Sequence, residues 1–151
     1  KLINEYNSSI DKIDKEINTI MDKIASPITS IPGIGITLAS IIIAEIGNFD
    51  NFDSPDKILA FAGMSPTIYQ SGKYVANSAK MEKRGSKALR YALYNAARLT
   101  SVYCPVFREH LARKRSQGKH FSVAISHVVK KLVRVIYHLQ TKNEFFKNII
   151  N

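Results

Sequence analysis

A serine set among cations is the clearest candidate for chemistry in this chain. Ser71 lies in Gln70-Ser71-Gly72-Lys73, and Lys73, Lys80, Lys83, Arg84 and Lys87 follow it with Glu82 as the one opposing carboxylate in that stretch. A hydroxyl supplies a nucleophile, and fixed cations stabilise the charge that spreads over phosphate oxygens in the transition state of a phosphodiester attack. Gly72 removes side-chain bulk beside the hydroxyl and lets the backbone approach a large partner. The same residues carry a plainer reading. Residues 68–70 and 73–75 flank a two-residue Ser-Gly unit, which suits a tight β-hairpin turn whose serine makes local hydrogen bonds. Residue types leave both readings open.

Charge narrows the class of partner. The net charge of +10 is unevenly distributed, with four Lys or Arg against nine Asp or Glu in residues 1–56 and eighteen against three in residues 57–151. A segment that basic repels itself unless it meets a polyanion, so nucleic acid is the leading partner, ahead of an anionic membrane surface. Arg113, Lys114 and Arg115, at the end of a short helix expected over 106–117, are either a phosphate patch or cations placed favourably at a helix C-terminus. No apolar run approaches the roughly 20 residues of a membrane span, and no signal peptide is visible, so a cytoplasmic, nucleoid-associated protein without membrane contact is expected. The chain of 151 residues starts at Lys1 without a methionine, which suggests a piece of a longer protein. One cysteine, Cys104 beside Pro105, excludes an internal disulfide and reads as a buried thiol at a helix boundary. The four histidines lack metal-ligand spacing, and Asp50, Asp53 and Asp56 read as turn and helix-start acids, so no metal site is expected within the chain.

The elements that must position the serine are helical. Residues 2–24 place Ile10, Ile13, Ile17, Ile20 and Ile24 at alternating steps of three and four between charged residues, a heptad seam on an otherwise polar helix. This helix, within a first unit of residues 1–26, is expected to dimerise or to link domains; packing on its own domain is the alternative. Ser26-Pro27 breaks it, and residues 28–46 then give a short helical turn, the hairpin Pro32-Gly33-Ile34-Gly35 and an apolar helix. That order resembles a helix-hairpin-helix motif, in which Gly33 and Gly35 let the turn lie against a phosphate that accepts hydrogen bonds from N–H groups at the start of the second helix. A glycine-bearing turn between two core helices explains the same residues.

Ser54-Pro55 is expected to cap and start a helix that stops at Gly63, and Gly85-Ser86 to open another that runs to about residue 102 with Leu89, Leu93, Ala96 and Leu99 or Thr100 inward. The last long helix, over 121–140, has Ile125, Val128, Val129, Leu132, Val135, Ile136 and Leu139 as its core face and Lys130, Lys131 and Arg134 elsewhere. The fold expected is all-α, with a helical unit over 27–151, a serine loop over 64–85 and at most one short hairpin.

With these residues in view, the chain resembles the C-terminal transposase domain of the IS-one-ten and IS-eleven-eleven insertion-sequence family, which includes Piv-like recombinases. The resemblance rests on SIPGIG at 30–35, AEIG at 44–47, F-x-S-P at 52–55, FAGMSP at 61–66 and QSGK at 70–73. It continues through KRGSKALRYALYNAA at 83–97, PVF at 105–107, QGK at 117–119 and A-x-x-x-V-V-x-K-L-x-R-x-I-Y from 124 to 137. It implies a DNA recombinase of bacterial or archaeal origin in which Ser71 is the nucleophile. An N-terminal RuvC-like domain with acidic ligands for a divalent metal, magnesium, is implied to precede residue 1, and a noncoding RNA to guide the complex. A fragment of this kind would hold half of the active site and be inactive alone. The alternative is a non-catalytic helix-hairpin-helix module that binds nucleic acid.

Overall fold

The structure is a computed structural model that describes the backbone of residues 1–67, 70–71, 74–75, 80–81 and 84–147, and the side chains of residues 1–65 and 84–147. Its body is all-α. Helix α1 (Leu2–Ile24) is followed by a 3-10 turn at Pro27–Ser30, α2 (Ile36–Ile46), a second 3-10 turn at Phe49–Asn51 and α3 (Pro55–Phe61). Then come four two-residue strands, β1 (Pro66–Thr67), β2 (Gln70–Ser71), β3 (Tyr74–Val75) and β4 (Lys80–Met81), and finally α4 (Lys87–Tyr103), α5 (Pro105–Ser116) and α6 (Phe121–Lys142).

Helix α4 is central, packing against α2, α5 and α6. Its inward face is Leu89, Ala92, Leu93, Ala96, Ala97 and Thr100, all with no exposed surface, and three of these six are alanines. Small side chains let the neighbouring helices come close, while Leu99 falls outside the core at 39% exposure. On α6 the expected core face is buried except for Val135, which is half-buried and gives its place to Val133. Val133 lies four residues after the buried Val129, one helical turn on, whereas Val135 sits at the edge of the stripe. Cys104 is buried at the junction of α4 and α5, as expected. After α6 the chain turns back at Asn143 (φ 51°), Phe146 stacks on the buried Phe107 ring at 6.3 Å, and its N–H donates to Ser30 Oγ at 2.8 Å.

Helix α1 contacts α2 through its last turns, where Met21 is buried and Ile17 half-buried. Ile10, Ile13, Ile20 and Ile24 remain about half exposed, so most of the seam faces outward. Ala25, in the left-handed conformation, ends the helix, and Ser26 Oγ accepts the Ile28 N–H to start the next turn. Ser54, expected to cap α3 with its side chain, makes no such bond; its carbonyl instead accepts the Lys57 N–H at 3.1 Å.

Two glycines are required by close approach. Gly33 has φ +98°, and a Cβ there would lie 2.7 Å from the Leu99 carbonyl carbon of α4. Gly85 has φ +125°, and a Cβ there would lie 2.3 Å from the Phe61 carbonyl oxygen. Both clashes are with backbone, which cannot rotate away. Gly35, by contrast, has nothing within 4 Å of a built Cβ. Gly33→Ala and Gly85→Ala are each expected to destabilise the fold by about 2 kcal/mol or more, through left-handed strain added to overpacking. Gly35→Ser should leave the urea midpoint nearly unchanged. Equal midpoints for all three variants would contradict the packing described.

Candidate functional site

The serine arm is mounted on a clamp between the end of α3 and the start of α4. The Ser86 N–H donates to the Phe61 carbonyl at 3.0 Å, and Gly85 lies flat against that same carbonyl group. Ser86 Oγ accepts the Leu89 N–H at 3.0 Å as the N-cap of α4, the helix that Gly85-Ser86 was expected to open, and donates to Glu45 Oε2 of α2 at 2.5 Å. Arg90 Nη1 donates to the Ala62 carbonyl at 3.1 Å. The ends of the segment between α3 and α4 are thereby fixed to each other and to α2.

Between those ends, β1 pairs with β4 (Pro66 with Met81, Thr67 with Lys80) and β2 with β3 (Gln70 with Val75, Ser71 with Tyr74). The two antiparallel ladders nest, in keeping with a single hairpin-like reversal. Two residues separate β1 from β2 and four separate β3 from β4, so the register shifts by two between the ladders. Ser71 is paired with Tyr74 at the end of β2, so it is a ladder residue here, and Gly72 of the suggested Ser-Gly turn lies outside the described residues. Lys73 and Lys83 lie outside the described residues, and Lys80 is placed by its β4 backbone. Arg84 and Lys87 are exposed at the foot of the arm.

The turn at 31–35 is held by the buried Ile31 and Ile34. Gly33 faces α4, which accounts for that glycine without any ligand. Gly35 is exposed at the start of α2, where no side chain caps the helix, so this end offers backbone N–H groups outward. The preceding helical piece is the single 3-10 turn Pro27–Ser30.

The third basic feature joins α5 and α6. His110, Arg113 and Lys114 on α5 and His127, Lys130, Lys131, Arg134 and Val135 on α6 line a groove of about 620 Å³. Arg113 Nη2 donates to His110 Nδ1 at 2.8 Å, which leaves Nε2 to carry the proton of the neutral ring. Lys131 Nζ stands 5.8 Å from the centroid of the buried Phe107 ring, an arrangement that holds a cation over an apolar floor. Among the described residues, none of the five groove cations has a carboxylate within 4.0 Å. Partial burial, and then Lys131, Arg113 and Lys114, push the His110 pKa below its usual 6.5, against a hydrogen bond to the His127 backbone. Burial, then Lys114, Lys119 and Lys130, lower that of His127. Arg115 points elsewhere, its Nη1 donating to the Lys119 carbonyl at 2.8 Å.

The sequence reading included Arg113 and Lys114 but missed the two histidines and Lys130, Lys131 and Arg134 as one surface. Their spacing at i, i+3, i+4 and i+7 opposite the α6 core face was the available signal; that α5 would face it was not. Among the described residues no three His, Cys, Asp or Glu lie together in a way that could hold a metal ion.

With this geometry described, comparison places the chain among known proteins. The family model for the transposase IS116/IS110/IS902 family matches residues 25–112, a span that includes the turn at 31–35, the clamp and the serine arm. The chain belongs to this family. This member of the family is 27% identical over 156 residues to the pilin gene-inverting protein of Moraxella bovis, covering 99% of this chain and 48% of that protein. It is 21% identical over 138 residues to the IS110 43.6 kDa protein of Streptomyces coelicolor, covering 90% and 34%. With the transposase of IS1328 from Yersinia enterocolitica it shares 27% over 142 residues, covering 91% and 42%. It therefore spans about half, or less, of the length of these relatives.

The depressed histidines give a pH response with a definite sign. Their folded pKa values lie below the unfolded value, so the stability they contribute is present above about pH 6.5 and is lost as pH falls toward the folded values. The melting temperature is expected to drop on acidification through this window. The drop should be smaller in His110→Gln/His127→Gln, and parallel profiles for the two proteins would contradict the assignment.

Proposed function

We propose that this chain is the serine-bearing half of a DNA recombinase, with Ser71 as the nucleophile that joins transiently to a DNA phosphate. The observation that carries the reading is the family match across residues 25–112, which brackets a serine at the end of a short antiparallel ladder with cations at its foot. In the proposed step Ser71 Oγ attacks phosphorus, and the bond from phosphorus to a deoxyribose oxygen breaks. The serine proton passes to a base from outside the described residues, and the departing oxygen takes up a proton. Attack on the phosphoserine by the hydroxyl of another strand reverses these bond changes and releases Ser71. Lys73, Lys80, Lys83, Arg84 and Lys87 supply the positive field around the phosphate.

The base and the metal-binding carboxylates belong, in this reading, to a RuvC-like domain of the same protein that uses magnesium, and the 151-residue chain alone is inactive. The outward seam of α1 pairs with a second copy or with that domain, and a guiding RNA shares the basic surface. No described helix is long and apolar enough to cross a membrane, and the protein works at DNA in the cytoplasm.

A second reading draws on the uncapped, exposed start of α2: a helix-hairpin-helix module that binds the DNA backbone without chemistry. Gly33 cannot test it, because its substitution disturbs packing on α4. Gly35→Asp can, since an acidic N-cap suits the helix while placing a negative charge where a phosphate would lie. In the full-length protein with its element DNA, Ser71→Ala should abolish strand transfer with DNA affinity within about twofold of the parent, and Gly35→Asp should weaken affinity while sparing stability. Strand transfer retained by Ser71→Ala would leave only the binding-module reading.

A further inference from the structure

We infer that the groove between α5 and α6 is a second DNA-backbone site, separate from the serine arm, that takes up protons as it binds a duplex. The inference rests on the nucleic-acid part of the reading above and not on Ser71. Two helical faces meet there, His110, Arg113 and Lys114 on one side and His127, Lys130, Lys131 and Arg134 on the other. A stripe of cations on one solvated helix would be unremarkable. Here two stripes converge on one concavity with no described carboxylate within ion-pair distance of the cations, and Lys131 is held half-buried over Phe107. Such a site is repulsive when empty and stabilised by an anion.

The chemistry of the lining favours a duplex. Proteins that hold single strands combine cations with aromatic faces on which unpaired bases stack. The lining has one apolar residue, Val135, and Phe107 lies buried beneath it. Apart from the imidazoles of His110 and His127 the lining offers no aromatic face, so its five cations address phosphates first, which suits a stacked helix presenting its backbone.

The histidines add a linkage. Partial burial first, and then the facing charges of Lys131, Arg113 and Lys114 on His110 and of Lys114, Lys119 and Lys130 on His127, lower the pKa of both rings. A phosphate entering the groove offsets those cations and favours the imidazolium form, so binding takes up protons and tightens as pH falls.

The test uses the protein with a mixed-sequence DNA duplex, its single strand and an RNA hairpin, titrated against salt. Lys130→Gln/Arg134→Gln removes two exposed groove cations, and Lys12→Gln/Lys15→Gln makes the same charge change on α1. The groove variant should lower the slope of log affinity against log salt by about 0.9 for each side chain removed, and the α1 variant should not. Duplex affinity should rise several-fold between about pH 7.5 and about pH 5.5, and this rise should be lost in His110→Gln/His127→Gln. A parent slope retained by the groove variant would overturn the groove and leave the broader reading standing. Absence of salt-dependent binding by the parent would overturn both. Preference for the single strand or the RNA hairpin by tenfold or more would overturn the duplex assignment, and circular dichroism of each variant guards against misfolding.

Discussion

The contact of Gly85 with the Phe61 carbonyl is the constraint on which the arrangement of the site depends. At that point the chain returns to the helical body after the serine arm, and the approach is close enough that only a hydrogen can face the carbonyl oxygen. Ser86 then uses both ends of its hydroxyl, accepting from Leu89 to start α4 and donating to Glu45 of α2. Three helices are thus joined within one turn of backbone. Because α4 in turn packs on α2, α5 and α6, a displacement at the clamp would be transmitted to the whole body. For the proposed role of Ser71, fixed ends would reduce the conformations the arm loses on engaging DNA.

Around this body the charged groups are sorted by element. The acidic first third of the sequence, residues 1–56, supplies α1 and α2, while the foot of the arm and the α5/α6 groove are basic. The uncapped start of α2 adds partial positive charge from backbone alone. A DNA duplex that touched all three features would be held by phosphates and not read by base edges, leaving sequence choice to other parts of a larger assembly. Most of the isoleucine seam of α1 is left exposed by its own domain, which is where the proposed pairing would form.

Much of this was legible in the sequence because it is governed by local rules. The α1 seam, the glycine stops, the Ser86 cap and the inward faces of α4 and α6 follow from periodicity and capping chemistry within single elements. What escaped depended on contacts between elements. Gly33 reads equally as a phosphate-facing or a packing glycine until α4 is placed against it. Ser54 looks like a side-chain cap, but only its carbonyl accepts from the helix, at the Lys57 N–H. Ser71 is paired with Tyr74, which its own sequence context did not fix because cross-strand register is a property of both strands together. The groove was invisible for the same reason: each helix carries an ordinary solvated stripe, and only their juxtaposition makes a site.

The central claim is that Ser71 becomes covalently bonded to DNA. Its most direct measurement is mass spectrometry of the full-length protein quenched during recombination on element DNA, digested with protease and nuclease, with the nucleotide-bearing peptide sequenced. The account predicts a nucleotide attached through phosphate to the peptide containing Gln70-Ser71-Gly72, at Ser71 itself. A nucleotide on another residue, or turnover with no covalent intermediate on protein at any quench time, would contradict it and return Ser71 to the role of a ladder residue.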